Sequence, residues 1–401
     1  MKYEDSIKCE FLTKKLDSDV LDRCKLIKEV QAVSDKLFID FSHERNIAKE
    51  VWNKISKDPT FKYKIRTVKA NWIIPEWQGN LDDVFPVKKN LDKYIVLSVD
   101  GSQIYPDRHA GTPCHLINVG YVALNYGMPG QRVYFNSEPH VFADFGVNSD
   151  FLESPTELVN CRRQDFELIA GYNLSYKYKN MYASENEKNS IPQVFFFDGS
   201  IIFWHLESKA IEVKERFLAS YLRMMHKFYE DKILMAGYIS LTKSKEIVNL
   251  IRVALCNFEV ENCQEYKKVD CVVDAMIASF YLKPFERTTI FKNNSKITSY
   301  YPEHLQPHFF YMHIGSEIVR IEIPLWVAED IKNVDLIANM IADQSIKGRG
   351  YPVALAEAHE QAVVKGPDRD FFYHLINKIG FERNQMIKIS QKSRKKLGMG
   401  I

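Results

Sequence analysis

Two apolar runs set the frame for this chain. YIVLSVD (94–100) and QVFFFD (193–198) are each long enough for a buried strand, and each leads directly into Asp-Gly-Ser, at 100–102 and 198–200. A buried strand that ends in a carboxylate carries charge to the rim of the core. That charge costs free energy unless a partner or a cation meets it. Asp-Gly is also a common turn dipeptide, so one instance alone says little. Two instances after similar runs, both followed by Ser, point to a place where a sheet brings two carboxylates together. Strand ends are where α/β sheets put their ligand sites. Two adjacent carboxylates repel each other, and an oxygen-seeking divalent ion such as Mg²⁺ or Mn²⁺ removes the repulsion.

The rest of the chain alternates. Strand patterns at about 115–125 and 131–136 flank the turn-rich YGMPGQ. A helix is expected over 154–178, with Pro155 in its first turn, then a polar loop at 183–190. Helices are predicted over 204–230, from Ser244 and over 270–282, and strands at 233–240, 288–292, 309–314 and 317–325. After Trp326 the pattern is helical. Strands that alternate with helices after a hairpin-rich start predict an α/β domain with a mixed sheet.

Hydrophobic residues make up 46% of the 401 residues, enough for a large core. The formal net charge is only +2, so any surface for nucleic acid must be local. The cysteines number seven, with no Cys-x-x-Cys. That predicts neither a disulfide framework nor a zinc cage, and fits a reducing cytoplasm. No run is long and apolar enough for a membrane span. No Gly-x-x-x-x-Gly-Lys-Ser/Thr loop is present, which argues against nucleotide hydrolysis.

Residues 1–90 read as charged and mainly helical, with an apolar stripe at Leu21, Cys24, Leu26, Ile27, Val30 and Val33. Trp72 and Trp77 flank a break at Pro75. This segment is either a cap on the main domain, 91–380, or a docking arm for a partner. The tail, 381–401, holds Lys388, Lys392, Arg394, Lys395 and Lys396, either a solvated terminus or a phosphate-binding arm.

A further candidate is GYPVALAEAHEQA (350–362). Pro352 suits the first position of a helix, and Leu355, His359 and Ala362 then share a face lined with small residues. An imidazole there can approach another element closely, as a metal ligand or an acid–base group. It can equally be a satisfied core histidine. Glu167, in CRRQDFELIAGY, sits mid-helix where it can face the sheet, with Asp165 as its competitor.

Taken in order and spacing, the two strand–Asp-Gly-Ser segments and Gly-Tyr-Pro-x-x-Leu-x-x-Ala-His at 350–359 resemble the NurA nuclease family. GYISLTKSKEIVNLIR (237–252) and Gly366-Pro367-Asp368-Arg369-Asp370 are similar to further segments of it. The resemblance covers about 90–380 and implies an RNase H-like core, flanked by helices, in a homodimer. It implies manganese-dependent cleavage of DNA, by single-strand endonuclease and 5′-to-3′ exonuclease action, beside a HerA-type hexameric ATPase. Repair of DNA ends and defence against phage are both open. The family's site maps onto Asp100, Asp198, Tyr351 and His359, and its helix-borne glutamate onto Glu167.

Phosphodiester hydrolysis builds charge on the attacking and leaving oxygens, which two divalent ions clamp. Asp100 is assigned the bridging position because it ends the first strand; Asp198, Glu167 and His359 complete the ligands. The imidazole favours Mn²⁺ over Mg²⁺. Tyr351 would hold the scissile phosphate or the water, and Lys243, Lys392, Arg394 and Lys395 would contact DNA. The alternative from another class is a catalytically silent DNA clamp or adaptor subunit of a translocase. A resolvase or a guide-dependent nuclease would need recognition modules that this sequence lacks.

Overall fold

The computed structural model describes residues 21–34, 39–106, 114–128, 130, 133–143, 155–182 and 191–383. Lys388, Lys392, Arg394, Lys395 and Lys396, and the loop at 183–190, lie outside these residues. The strands are β1 (Glu76–Trp77), β2 (Val84–Pro86), β3 (Tyr94–Ile104), β4 (His115–Tyr126), β5 (Val133–Phe142), β6 (Gln193–Asp198), β7 (Leu234–Ile239), β8 (Glu286–Thr288), β9 (Phe291–Lys292), β10 (Pro307–His313) and β11 (Ile318–Pro324). Besides Arg23–Ala32, the helices of ten or more residues among the described residues are α1 (Ser42–Ile55), α2 (Pro155–Met181), α3 (Ile211–Glu230), α4 (Glu246–Leu255), α5 (Ile331–Lys347), α6 (Val353–Ala362) and α7 (Gly366–Glu382).

One sheet runs through the described residues in the order β1-β9-β10-β11-β7-β6-β3-β4-β5, with β2 and β8 paired beside β10. Within it, β5, β4 and β3 form an antiparallel meander, and β6 and then β7 lie parallel to β3. This is the RNase H-like arrangement, in an α/β sheet extended by the antiparallel strands β11 and β10. The parallel steps need crossovers, which α2 and α3 supply. Alternation divides the core. Ile95, Leu97 and Val99 of β3, with Phe195 and Phe197 of β6, pack under α2 and α3. Tyr94 and Val96, with Phe196 and Tyr238, face the other way, toward α5 and α6.

Three expectations need correction. The first run does not stop at Asp100: β3 continues to Ile104, so Asp-Gly-Ser lies inside the strand. The helix expected over 270–282 shrinks to Asp274–Ala278, preceded by a 3-10 turn. Cys256 and Cys263 form a disulfide, against the expectation of none. Trp77 is buried in a stack on Phe61, and the half-buried Trp72 meets Tyr266 edge-on. They belong to a third cluster in which α1 and residues 61–81 cover α4, β9 and β10. The Arg23–Ala32 helix, by contrast, buries none of its residues, and Leu21, Leu26, Val30 and Val33 of the stripe are exposed. Among the described residues no helix is long and apolar enough to cross a membrane.

Candidate active site

The parallel register pairs Val99 with Phe197, so the next residues, Asp100 and Asp198, are neighbours on adjacent strands. Here β6 does end, because Gly199 turns away with φ +133°. The turn is held closely: Gly199 N–H donates to the Tyr238 carbonyl, and a side chain on Gly237 would meet the Gly199 oxygen at 2.5 Å. Ser200 Oγ and the Ile201 N–H both donate to the buried Glu322 carboxylate, at 2.7 and 3.0 Å. Glu322 is paired in turn with the buried Arg320. A sequence pattern of alternating apolar residues gave no hint of this inward-facing ion pair, which fixes the chain just after Asp198.

Gly101 has another task. A Cβ there would come 2.7 Å from Glu167 Oε1 and 2.8 Å from Arg163 Cγ. The glycine is therefore a window in the strand through which α2 presses its side chains toward Asp100. Glu167 is buried and points into the site, whereas its competitor Asp165 turns away to accept a hydrogen bond from Ser220 at 2.6 Å.

His359 arrives from the opposite side. Its Nδ1 lies 2.9 Å from Asp100 Oδ2. The helix that carries it, α6, sits unusually close to the sheet, because Gly120 of β4 offers no side chain where Ala358 and Ala362 approach. The end of α6 is tied down by Ser102 Oγ and Asn118 Nδ2, both donating to the Ala362 carbonyl. Its start is tied by Gln344, whose Oε1 accepts from the Ala354 N–H at 3.1 Å. Pro352 is the N-cap of α6, one position before the expected place. Tyr351 OH donates to Asp198 Oδ1 at 3.1 Å, with Tyr238 edge-on to its ring.

Asp100, Asp198, Glu167, Tyr351 and His359 thus meet at one place, supplied by β3, β6, α2 and the two ends of the 351–359 segment. Lys243 stands exposed in the loop after β7 and makes no ion pair with a described residue. The residue that sequence reading missed is Arg163. Its Nη1 donates to Glu167 Oε1 at 2.5 Å and to the Gly101 carbonyl at 3.0 Å, and lies 3.9 Å from Asp100 Oδ1. The i, i+4 spacing of Arg163 and Glu167 was the available signal.

The carboxylates bear the marks of crowding. Burial raises the Glu167 carboxyl to about 8, helped by the charges of Asp100 and Asp198 and opposed by Arg163. Burial also raises Asp198, with Asp100 adding to the effect and the Tyr351 hydrogen bond working against it. Tyr351 is held well above the ordinary phenol range by burial and by Asp198, so its hydroxyl remains a donor.

Three carboxylates and one imidazole suit a hard divalent cation that tolerates nitrogen. In this structure the donors are engaged with one another and with Arg163, and no three His, Cys, Asp or Glu side chains among the described residues close on a common point. Burial of Glu167 outweighs the charge of Arg163 beside it, and that residual cost is the observation that fits a further cation.

The family model described as NurA domain matches residues 94–364. No curated protein matches the chain.

Proposed function

The chain belongs to the NurA domain family, a family of nucleases, and from that premise we propose that it is a divalent-metal-dependent deoxyribonuclease. The reading includes single-strand endonuclease and 5′-to-3′ exonuclease action by a homodimer that works with a HerA-type hexameric ATPase, in DNA end processing or phage defence. The observation that carries it is the meeting of Asp100, Asp198 and Glu167 with His359 and Tyr351.

Asp100, Asp198, Glu167 and His359 are the residues that would hold the metal, Mn²⁺ in preference to Mg²⁺. Bound there, two ions would neutralise charge on the attacking and leaving oxygens. Asp100, within reach of His359 and Arg163, would be the carboxylate held in common. Tyr351, a donor to Asp198, can transfer that hydrogen bond to a phosphate oxygen of the strand. His359 has its Nε2 free among the described residues, so that nitrogen is the one available to a ligand or a proton.

The test is digestion of end-labelled single- and double-stranded DNA with Mn²⁺, Mg²⁺ or EDTA, using the wild type and Asp100→Ala. Cleavage should require the metal and fall at least ~100-fold in the variant. Full activity in a folded Asp100→Ala protein would sink this reading.

A further inference from the structure

Arg163 occupies the centre of the carboxylate cluster. A single nitrogen, Nη1, makes both of its hydrogen bonds. Nε is buried without a partner, and Nη2 bonds to no described residue. A guanidinium normally meets a carboxylate with two parallel bonds, which is its advantage over an ammonium. Arg163 forgoes that geometry here, although its side chain is 30% exposed.

Arg163 Nη1 stands 2.5 Å from Glu167 Oε1 and 3.9 Å from Asp100 Oδ1, so a divalent cation drawn to these carboxylates would meet a like charge within a few ångströms. Arg163 and the cation therefore compete electrostatically for the same carboxylates. Both are positive, and the cluster that Arg163 leaves behind is the one a cation neutralises. The displaced guanidinium stays tethered beside the site with its fork unpaired. The group of matching geometry that enters this site with the substrate is a phosphodiester.

Resting on the nuclease reading, we propose that Arg163 is a built-in counterion of Asp100 and Glu167 that moves to the scissile phosphate once a divalent cation is held, and is thus a further catalytic residue. It keeps the three carboxylates from repelling each other apart before loading. Afterwards it contributes a charge-assisted pair of hydrogen bonds where negative charge develops on the phosphate. Because it must be expelled first, it also weakens cation binding to the DNA-free protein.

The experiment has two arms, run on the full chain as wild type, Arg163→Gln and Arg163→Lys. The first measures Mn²⁺ binding without DNA, by the loss of the free-ion electron paramagnetic resonance signal. Arg163→Gln should bind Mn²⁺ about three- to tenfold more tightly, since a competing charge is gone. Arg163→Lys should stay close to wild type. The second arm measures kcat at saturating Mn²⁺. It should fall about 100-fold in Arg163→Gln, the loss typical of a removed transition-state donor, and less in Arg163→Lys.

Weaker Mn²⁺ binding in Arg163→Gln would overturn the proposal and leave Arg163 as a brace between α2 and β3. So would an unchanged kcat at saturating metal. Should the wild type cleave no DNA under any metal, the nuclease reading falls, yet the binding arm still decides whether the guanidinium and the cation compete.

Discussion

Gly120 stands directly opposite Asp100 in the antiparallel ladder of β3 and β4, and its missing side chain is the seat of the helix that delivers His359. A Cβ at Gly120 would lie 2.4 Å from the Ala362 backbone nitrogen and 2.6 Å from the Ala358 carbonyl oxygen. Both are backbone atoms in the body of α6 and cannot swing aside. The strand register therefore couples the first carboxylate to the depth at which the histidine helix docks.

The variant Gly120→Ala tests this coupling. Overpacking of a tight core position costs about 1–3 kcal/mol, and here α6 must lift from the sheet. The melting temperature should drop, and cleavage should drop further than the loss of folded protein explains, because the His359–Asp100 contact opens. Calorimetry beside a nuclease assay reads both. A variant that is fully stable and fully active would mean that α6 tolerates displacement.

His359 bears on the choice of metal. Its imidazole is the one nitrogen donor among three carboxylates, and nitrogen suits Mn²⁺ better than Mg²⁺. His359→Ala should lower Mn²⁺-dependent turnover about 100-fold and shrink the ratio of Mn²⁺ to Mg²⁺ rates. An unchanged ratio would remove His359 from the ligand set.

Glu167 makes a prediction about pH. Its carboxyl is raised from 4.5 to about 8 in the folded protein, chiefly by burial, so the native state binds that proton more tightly than the unfolded chain does. Stability associated with this group is then present below about 4.5 and is lost as pH rises through about 8. Without metal, Glu167→Gln should gain melting temperature relative to wild type as pH goes from 5 to 8.5. Added Mn²⁺ should remove most of that gap, by stabilising the ionised glutamate of the wild type. A gap independent of pH would show that Glu167 is already charged when the site is empty.

The proposed ATPase partner can be sought on the Arg23–Ala32 helix, which buries nothing and presents Leu26 and Val30 outward. Replacing both with Ser should reduce co-purification with the HerA-type ATPase while leaving basal cleavage intact. Replacing Trp77 should instead destabilise the protein, since its ring is stacked inside the core. If the double variant retains the ATPase in full, docking lies on another surface.

The candidate site was legible from types of residue more than from shapes. The two Asp-Gly-Ser segments look alike in sequence but act differently. At Gly199 the backbone takes a positive φ and the strand ends; at Gly101 the strand continues and the glycine makes room for α2. The two serines diverge likewise, Ser102 bonding to the end of α6 and Ser200 to Glu322. Nothing local separates these cases, since the difference lies in what packs against each segment from far along the chain. Glu167 was placed by the family resemblance with Asp165 left as its competitor, and only packing separates the two: Glu167 is buried at the site while Asp165 turns to Ser220. Arg163 was passed over because a cation on a helix face is ordinarily solvated. The buried Arg320 was invisible for the same reason, inside a strand pattern that alternation explained well enough.

His359 follows Asp100 by 259 positions, and the helix that bears it is laid onto strands made long before. A ribosome must therefore synthesise the chain beyond Ala362 before the site can exist at all. A nascent chain that has passed Asp198 but not His359 carries both aspartates without the histidine. Assembling the site from such distant segments makes activation coincide with completion of the fold.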